Sequence, residues 1–180
     1  MDKKIVYINS IFIAILAGIA TLSGLFWKGL YKHETVSMAA QAMGQDLITL
    51  LIGIPVLLGS LYLIQKNSLR GSLIWMGTIF YFLYSYASMS FLASYNQLFL
   101  VYVALFSLSM YTFVYGLLSL NVRTIKESTS PGKASKIAGA FLIFSGAMVA
   151  LMWIKMIIDS VLTGIAPSAL ESYTTLVIQA

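Results

Sequence analysis

The chain has 180 residues, of which 59% are hydrophobic and 9% charged, and its formal net charge is +5 at pH 7. Soluble domains are about 45–50% apolar and about 25% charged, so this composition excludes an ordinary soluble fold and predicts an integral membrane protein. The absence of Cys and the single His33 exclude disulfides, thiolate metal sites and a bis-His haem within one chain. We expect no cofactor and no metal. We also expect no nucleic acid partner, because the basic residues are scattered over short loops.

Five apolar segments are long enough to cross a bilayer as helices, for which about 20 residues suffice. They comprise residues 5–27, 47–65, 72–93, 98–120 and 137–162. The sequence therefore predicts an all-α fold, an antiparallel bundle of five transmembrane helices that forms a single domain over residues 1–180. The bilayer itself is the first expected partner.

The first segment follows Asp2, Lys3 and Lys4 and continues without a polar break to Trp27. The apolar core of a cleaved signal peptide is about 7–15 residues long. This segment is longer, which favours an uncleaved signal anchor. Small residues recur four apart along it, which lets helix backbones approach closely. These pairs are Ala14/Gly18, Ala17/Thr21 and Ala20/Gly24. The contacts lie either within the chain or between copies.

A polar stretch precedes the second segment, and its half at residues 36–45 is rich in helix formers. It is either an interfacial helix or an outward extension of the second span, which Asp46 opens. Pro55 lies in the middle of that span and removes one backbone donor, so a kink is expected there.

Short polar turns at residues 66–71 and 94–97 make the second, third and fourth spans antiparallel neighbours. A longer polar linker follows at residues 121–136. The tail at residues 168–180 becomes apolar again. It lies at the interface or begins a sixth span, and we slightly favour the sixth span.

Basic residues in short loops predict a cytoplasmic N-terminus, because Lys and Arg are enriched on the cytoplasmic side. In that orientation the inner segments carry Lys3, Lys4, Lys66, Arg70, Arg123, Lys126, Lys133 and Lys136. The outer side carries Lys28, Lys32 and Lys155. Short loops and low charge are typical of a prokaryotic inner (plasma) membrane protein.

Ionisable residues near the outer ends of the spans form the first candidate site. Lys155 and Asp159 are four apart and share a helix face, and Asp46 starts the second span at a similar depth. With Gln45, Asn96 and their outer neighbours (Gln41, His33 and Glu34), they are expected to form a polar cluster at the outer mouth of the bundle. It is either an ion or ligand site, or a snorkelling Lys with its partner and a helix-start acid.

Hydroxyl side chains form the second candidate. Thr78, Tyr81, Ser85 and Ser88 share one face of the third span, and Tyr102, Ser109 and Thr112 lie at similar spacing in the fourth. The two stripes either line a narrow polar path or hold a ligand headgroup, or they hydrogen-bond between helices, each pair contributing about 0.6–2 kcal/mol.

Three hypotheses for the function are open. The first is a non-enzymatic protein that binds or assembles with membrane partners, including copies of itself. The second is a transporter or channel subunit that uses Asp46, Lys155 and Asp159. The third is a lipid-acting enzyme with one of these residues as acid or base, which the scarcity of His and of paired acids disfavours. We favour the first.

Overall fold

The computed structural model describes residues 2–120, 125 and 132–164. All the secondary structure in these residues is helical. The chain divides into two compact units, Met1–Asn121 and Val122–Ala180, and each is described by itself. Most of the linker expected at residues 121–136 lies outside the described residues, as does the tail at residues 168–180.

The first helix, α1, spans Lys3–Phe26, and Asp2 caps it by accepting a hydrogen bond from the Lys4 amide at 2.9 Å. Its small residues face the interior of the first unit. Those that are buried include Ala14, Ala17, Ala20, Thr21 and Gly24. The small-residue face of α1 therefore packs within the chain.

The second apolar segment is one long helix with an irregular turn in its middle. It consists of α2 (Val36–Ile48), a π-helical turn (Thr49–Gly53) and α3 (Ile54–Gln65). The stretch before Asp46 is thus an N-terminal extension of this helix, and its outward direction stays a prediction. Pro55 lies in the first turn of α3, and the wider π-helical turn comes immediately before it. Turns of this kind are frequent at functional sites.

Two further helices complete the first unit, α4 at Leu69–Phe91 and α5 at Phe99–Ser119. Asn67 has a φ of 55° and closes the turn between α3 and α4. Neighbouring helices run antiparallel, as predicted from the short turns. Together α1, the α2–α3 helix, α4 and α5 form a four-helix bundle around a core that includes Trp75, Phe82 and Tyr102.

The two ends of this bundle differ in composition. The basic end contains residues 2–4, the α3–α4 turn and the C-terminus of α5. There the Lys3 ammonium donates to Asn67 Oδ1 at 2.7 Å, and the Asp2 amide donates to the Tyr115 hydroxyl at 2.7 Å. The opposite end contains the loops at residues 27–35 and 92–98. We call it the cavity end, after the cavity described below.

Within the described residues, four helices are long and apolar enough to cross a membrane. They are Lys3–Phe26, Val36–Gln65, Phe99–Ser119 and Ser135–Thr163. The 23-residue α4 is not among them, and its many Ser, Tyr and Gly residues make it less apolar than its neighbours. The count of five spans therefore stays a prediction.

The second unit contains α6, which spans Lys133–Thr163. It ends at Gly164, whose φ of 68° is the left-handed conformation that commonly terminates helices. The predicted fifth span, residues 137–162, lies within this helix.

Candidate functional site

A cavity of about 200 Å³ lies at the cavity end of the bundle, between α2 and the C-terminal half of α4. Its wall is mixed in character. The polar lining consists of Tyr31, Glu34, Gln41, Gln45, Tyr84, Ser85 and Ser88. The apolar lining consists of Met38, Ala42, Met89, Leu92 and Ala93. Apolar walls with a few placed polar groups are typical of small-molecule sites.

One side of the cavity is formed by two loops that are hydrogen-bonded to each other. Glu34 Oε1 accepts a hydrogen bond from the Ser94 amide at 2.5 Å, and the Ser94 hydroxyl donates to the His33 carbonyl at 3.3 Å. Glu34 is half-buried, and no other lining residue carries a formal charge. The Glu34 carboxylate therefore places a negative charge in this wall, which attracts positively charged groups.

The floor of the cavity is a hydrogen-bonded bridge between α2 and α4. The Gln45 amide donates to Ser85 Oγ at 2.6 Å and to the Tyr81 hydroxyl at 3.0 Å. Thr49, in the π-helical turn, pairs with the same Tyr81 hydroxyl at 2.7 Å. The bridge holds the irregular turn of the long helix against α4.

Behind the cavity wall lies a buried acid. Asp46 is 4% exposed, and its carboxylate accepts a hydrogen bond from the Tyr31 hydroxyl at 2.7 Å. Within residues 2–120 no cation pairs with it. Burial and the neighbouring Asp46 carboxylate raise the pKa of Tyr31 above its ordinary value of 10.0. Tyr31 is therefore a neutral hydrogen-bond donor at physiological pH.

Gly24 provides the space for this pair. A Cβ built on Gly24 would overlap the Asp46 carboxyl group and meet the Tyr31 hydroxyl. The Asp46 side chain thus lies against the bare backbone of α1. Charged groups buried in this way are expensive in membrane proteins, and they are commonly functional.

A second buried hydroxyl lies next to the Asp46–Tyr31 pair. Tyr102 is 2% exposed, and its hydroxyl lies near Tyr31 and Asn96 but has no hydrogen-bond partner among the described residues. Asn96 Oδ1 is used locally and accepts from the Leu98 amide at 2.9 Å. The group around Asp46 therefore has an unused hydrogen-bonding capacity.

Some residues of the predicted outer cluster meet at the cavity end. Gln45 lines the cavity, and Asp46 and Asn96 are buried beside it. Lys155 and Asp159 are exposed residues of α6 in the other unit. The Asp159 carbonyl accepts a hydrogen bond from Thr163 Oγ1 at 2.7 Å. An Asp46–Lys155 pair stays a prediction.

The α4 part of the predicted hydroxyl stripes divides into two groups. Tyr81 and Ser85 bond to the long helix through Gln45 and Thr49. Thr78 and Ser88 instead donate to carbonyls of α4 itself, at 2.8 Å and 3.1 Å.

The α5 part of the stripes faces other neighbours. Thr112 accepts from the Asn9 amide of α1 at 3.1 Å, and Ser109 Oγ is buried without a partner in the described residues. No hydrogen bond joins the α4 stripe to the α5 stripe within residues 2–120. Ser85 and Ser88 of α4 line the cavity, whereas Thr112 of α5 bonds to α1 in the interior of the bundle.

Three residues of the site were not linked to Asp46 from the sequence. Gly24 was expected in a helix-packing face and Tyr102 in a hydroxyl stripe, and Tyr31 was not among the candidate site residues. Their relation to Asp46 joins three helices and a loop, so no local pattern contains it.

A scan against protein-family models finds no matching family, and searches of the curated proteins and of the solved structures return no match. In the described residues, no group of three or more His, Cys, Asp or Glu side chains is placed to hold a metal ion. Over the part of the chain that the structure describes, the fold defines an all-α protein with four helices long and apolar enough to cross a membrane.

Proposed function

We propose that this chain is a multi-pass integral protein of a prokaryotic plasma membrane, with five spans, a cytoplasmic N-terminus and the cavity end outside. We propose further that it is a non-enzymatic binding protein whose ligand occupies the cavity between α2 and α4. The observation that carries this function is the cavity of about 200 Å³, whose lining combines polar and apolar side chains.

The proposed orientation is supported by charge. Lys3, Lys4, Lys66 and Arg70 lie at the basic end, and this excess is typical of the cytoplasmic side. The inclusion of α4 as a span is supported by its length of 23 residues and by its position beside both α3 and α5. A helix of this length reaches about 34 Å, which is enough to cross the hydrocarbon core.

The topology is tested by labelling introduced cysteines, which is simple because the chain has no Cys. Lys66 and Gln97 are exposed residues at opposite ends of α4. In intact cells, a membrane-impermeant maleimide should label Gln97→Cys and should label Lys66→Cys only after the cells are opened. Equal labelling of both in intact cells would contradict a span at α4.

The binding proposal is tested with a matched pair of variants on α2. Ala42 lines the cavity, whereas Ala40 lies on the exposed face of the same helix. Native mass spectrometry of protein extracted in mild detergent should show a bound small molecule on the unchanged chain and on Ala40→Phe. The same mass should be missing from Ala42→Phe, whose ring fills the space. Free protein alone in all three samples would count against the proposal, as would an adduct that Ala42→Phe retains.

A second form of the proposal is assembly with another copy or with a different membrane protein. It predicts a stable co-purifying chain in mild detergent. Isolation of the chain only as a monomer, by light scattering of the purified sample, would exclude this form and leave the ligand proposal intact.

Transport is the alternative that a specific observation favours. Asp46 is buried without a cation partner in residues 2–120, and the nearby Tyr102 hydroxyl is unpaired among the described residues. A proton or small cation bound at Asp46 would satisfy both groups. In this case Asp46→Asn should abolish proton or cation flux in reconstituted vesicles without reducing the yield of folded protein. Loss of folded yield alone would indicate a structural carboxylate.

A further inference from the structure

A second hollow adjoins the cavity and is of a different chemical character. It is a groove of about 230 Å³ between the long helix and α4. Its lining is almost entirely apolar and consists of Ile48, Ile52, Gly53, Val56, Ile74, Gly77, Thr78 and Tyr81. Ile52 and Ile74 are exposed, so the groove opens along the apolar surface of the bundle.

The cavity and the groove lie between the same two helices and are consecutive along them. Ile48 of the groove is one helical turn beyond Gln45 of the cavity, and Tyr81 of the groove is one turn before Ser85. The hydrogen-bonded bridge of Gln45 with Tyr81 and Ser85 lies between them. Gln45 and Tyr81 are only half-buried, so a single molecule with a polar head and an apolar chain can occupy both hollows by passing over the exposed side of the bridge.

The charge of the cavity lining favours one kind of head group. Glu34 is its charged lining residue, and Asp46 lies directly behind Tyr31, which lines the same wall. Tyr31 and Tyr84 also line the cavity, and aromatic rings attract cations. Lys28 and Lys32 lie in the adjoining loop, but both are exposed and neither lines the cavity. A positively charged head matches this arrangement, and a negatively charged head opposes it.

From this we infer that the ligand is a single-chain cationic amphiphile, held with its ammonium head in the cavity and its hydrocarbon chain in the groove. The inference rests on the proposed function, because it names the class of molecule that occupies that cavity. The ligand's hydrocarbon chain moves from the apolar membrane interior to an equally apolar groove, so this transfer contributes little affinity and mainly positions the ligand. The head group therefore provides most of the affinity.

The head-group part of the inference is tested with light-activated analogues in maltoside micelles at equal mole fraction. Each analogue has a decyl chain that ends in a diazirine and one of three heads, which are trimethylammonium, sulfonate or maltoside. The trimethylammonium analogue should label the chain most strongly. Glu34→Gln should reduce its labelling about fivefold, the upper range for a partly exposed ion pair. The amide oxygen of the introduced glutamine can still accept the Ser94 hydrogen bond, so the loop keeps its fold.

Asp2→Asn is the matched control, because it removes one negative charge at the basic end and Asn still caps α1. It should leave labelling unchanged. Labelling that is equal for all three heads, or equal in Glu34→Gln and the unchanged chain, would overturn the assignment of a cationic ligand.

The chain part of the inference is tested by locating the cross-links and blocking the groove. Peptide mapping should find the diazirine attached within residues 48–56 or 74–81. A side chain at Gly77 would meet open space, so Gly77→Leu should fill the groove and abolish these cross-links. Gly59→Leu is the matched control at another open glycine outside the groove. Cross-links that persist in Gly77→Leu would overturn the placement of the chain.

The outcomes separate this inference from the function on which it rests. If Ala42→Phe blocks labelling by the sulfonate or maltoside analogue and these bind better than the cation, the cavity binds ligands but the inference is wrong. If Ala42→Phe changes the labelling by no analogue, the binding function fails as well.

Discussion

The two ends of the four-helix bundle differ in how fully their polar groups are hydrogen-bonded. At the basic end and in the adjoining part of the interior, several polar side chains bond to another helix or turn. Lys3 bonds to Asn67, the Tyr7 hydroxyl donates to the Leu61 carbonyl at 2.5 Å, and Trp75 Nε1 donates to Ser10 Oγ at 2.8 Å. At the cavity end, Asp46 has one partner and the Tyr102 hydroxyl has none in the described residues.

The comparison shows which end is built for stability. Interhelical hydrogen bonds stabilise a membrane bundle, whereas an unpaired buried polar group destabilises it. Natural proteins commonly retain such destabilising groups where function requires them. The paired groups at the basic end therefore stabilise the bundle, whereas Asp46 and Tyr102 at the cavity end leave hydrogen-bonding capacity unused in the described residues. Each prediction below tests one side of this comparison.

The largest effect is expected where two backbones touch near the basic end. A Cβ on Gly71 would lie 2.9 Å from the Leu63 carbonyl carbon and 3.0 Å from the Ile64 nitrogen, and backbone cannot move aside as a side chain does. Gly71→Ala should lower the free energy of unfolding by about 3 kcal/mol. Thermal unfolding in detergent measures it. Gly77→Ala on the same helix is the control, and it should be neutral or stabilising by up to about 1 kcal/mol. Equal effects of the two changes would show that α4 does not pack this closely on α3.

Two buried serines provide the next test. Ser10 and Ser109 are both 0% exposed, but Ser10 Oγ accepts from Trp75 whereas Ser109 Oγ has no partner in the described residues. Ser10→Ala leaves the indole N–H unpaired and should cost about 1–2 kcal/mol. Ser109→Ala should cost close to nothing. Chemical unfolding in mixed micelles gives both values. A costly Ser109→Ala would indicate a partner for that hydroxyl and weaken the comparison.

The Asp46–Tyr31 pair should respond with opposite signs to two small changes. Asp46→Asn keeps an acceptor for the Tyr31 hydroxyl but removes a buried charge, so the protein should become more stable by about 1 kcal/mol. Tyr31→Phe removes the one donor to the carboxylate and should destabilise by a similar amount. The melting temperatures of the two variants measure both changes in stability. If Asp46→Asn is the more destabilising, the charge has a structural partner and is not reserved for function.

The smallest effect concerns alkaline pH. Because burial and Asp46 raise the pKa of Tyr31, the folded protein keeps the Tyr31 proton at pH values where the unfolded chain loses it. The stability from this group is fully present below about pH 10 and decreases as the pH rises above it. Absorbance at 295 nm should show one fewer late-ionising tyrosine in Tyr31→Phe than in the unchanged chain. An identical titration of both proteins would contradict the buried pair.

The helices were largely predictable because their signal is local. Apolar segments of about 20 residues, the short turns and the Pro55 irregularity are each contained in a few neighbouring residues. The α4 helix was found for the same reason, although its polar content leaves its membrane crossing to experiment. The form of the irregularity, a π-helical turn at Thr49–Gly53, was not predictable, since it depends on the contact of Thr49 with Tyr81 of α4.

The site was only partly predictable. Asp46, Gln45 and Glu34 were recognised because polar groups at the ends of apolar segments are conspicuous. Their partners were not recognised, because the local sequence around Tyr31 and Gly24 indicates only ordinary surface and packing residues. The rotation of α4 against the long helix decides which hydroxyls line the cavity and which bond within α4. The spacing of hydroxyls along one helix cannot predict that rotation.

By itself the sequence determined an all-helical chain with segments apolar enough for a membrane, and an antiparallel order for the neighbouring spans. Both follow from composition and loop length, which act within a segment. The tertiary structure alone decided that an acid lies against a bare glycine backbone and that a polar cavity and an apolar groove lie between the same two helices. These features need side chains from separate helices at fixed distances, and only packing sets those distances.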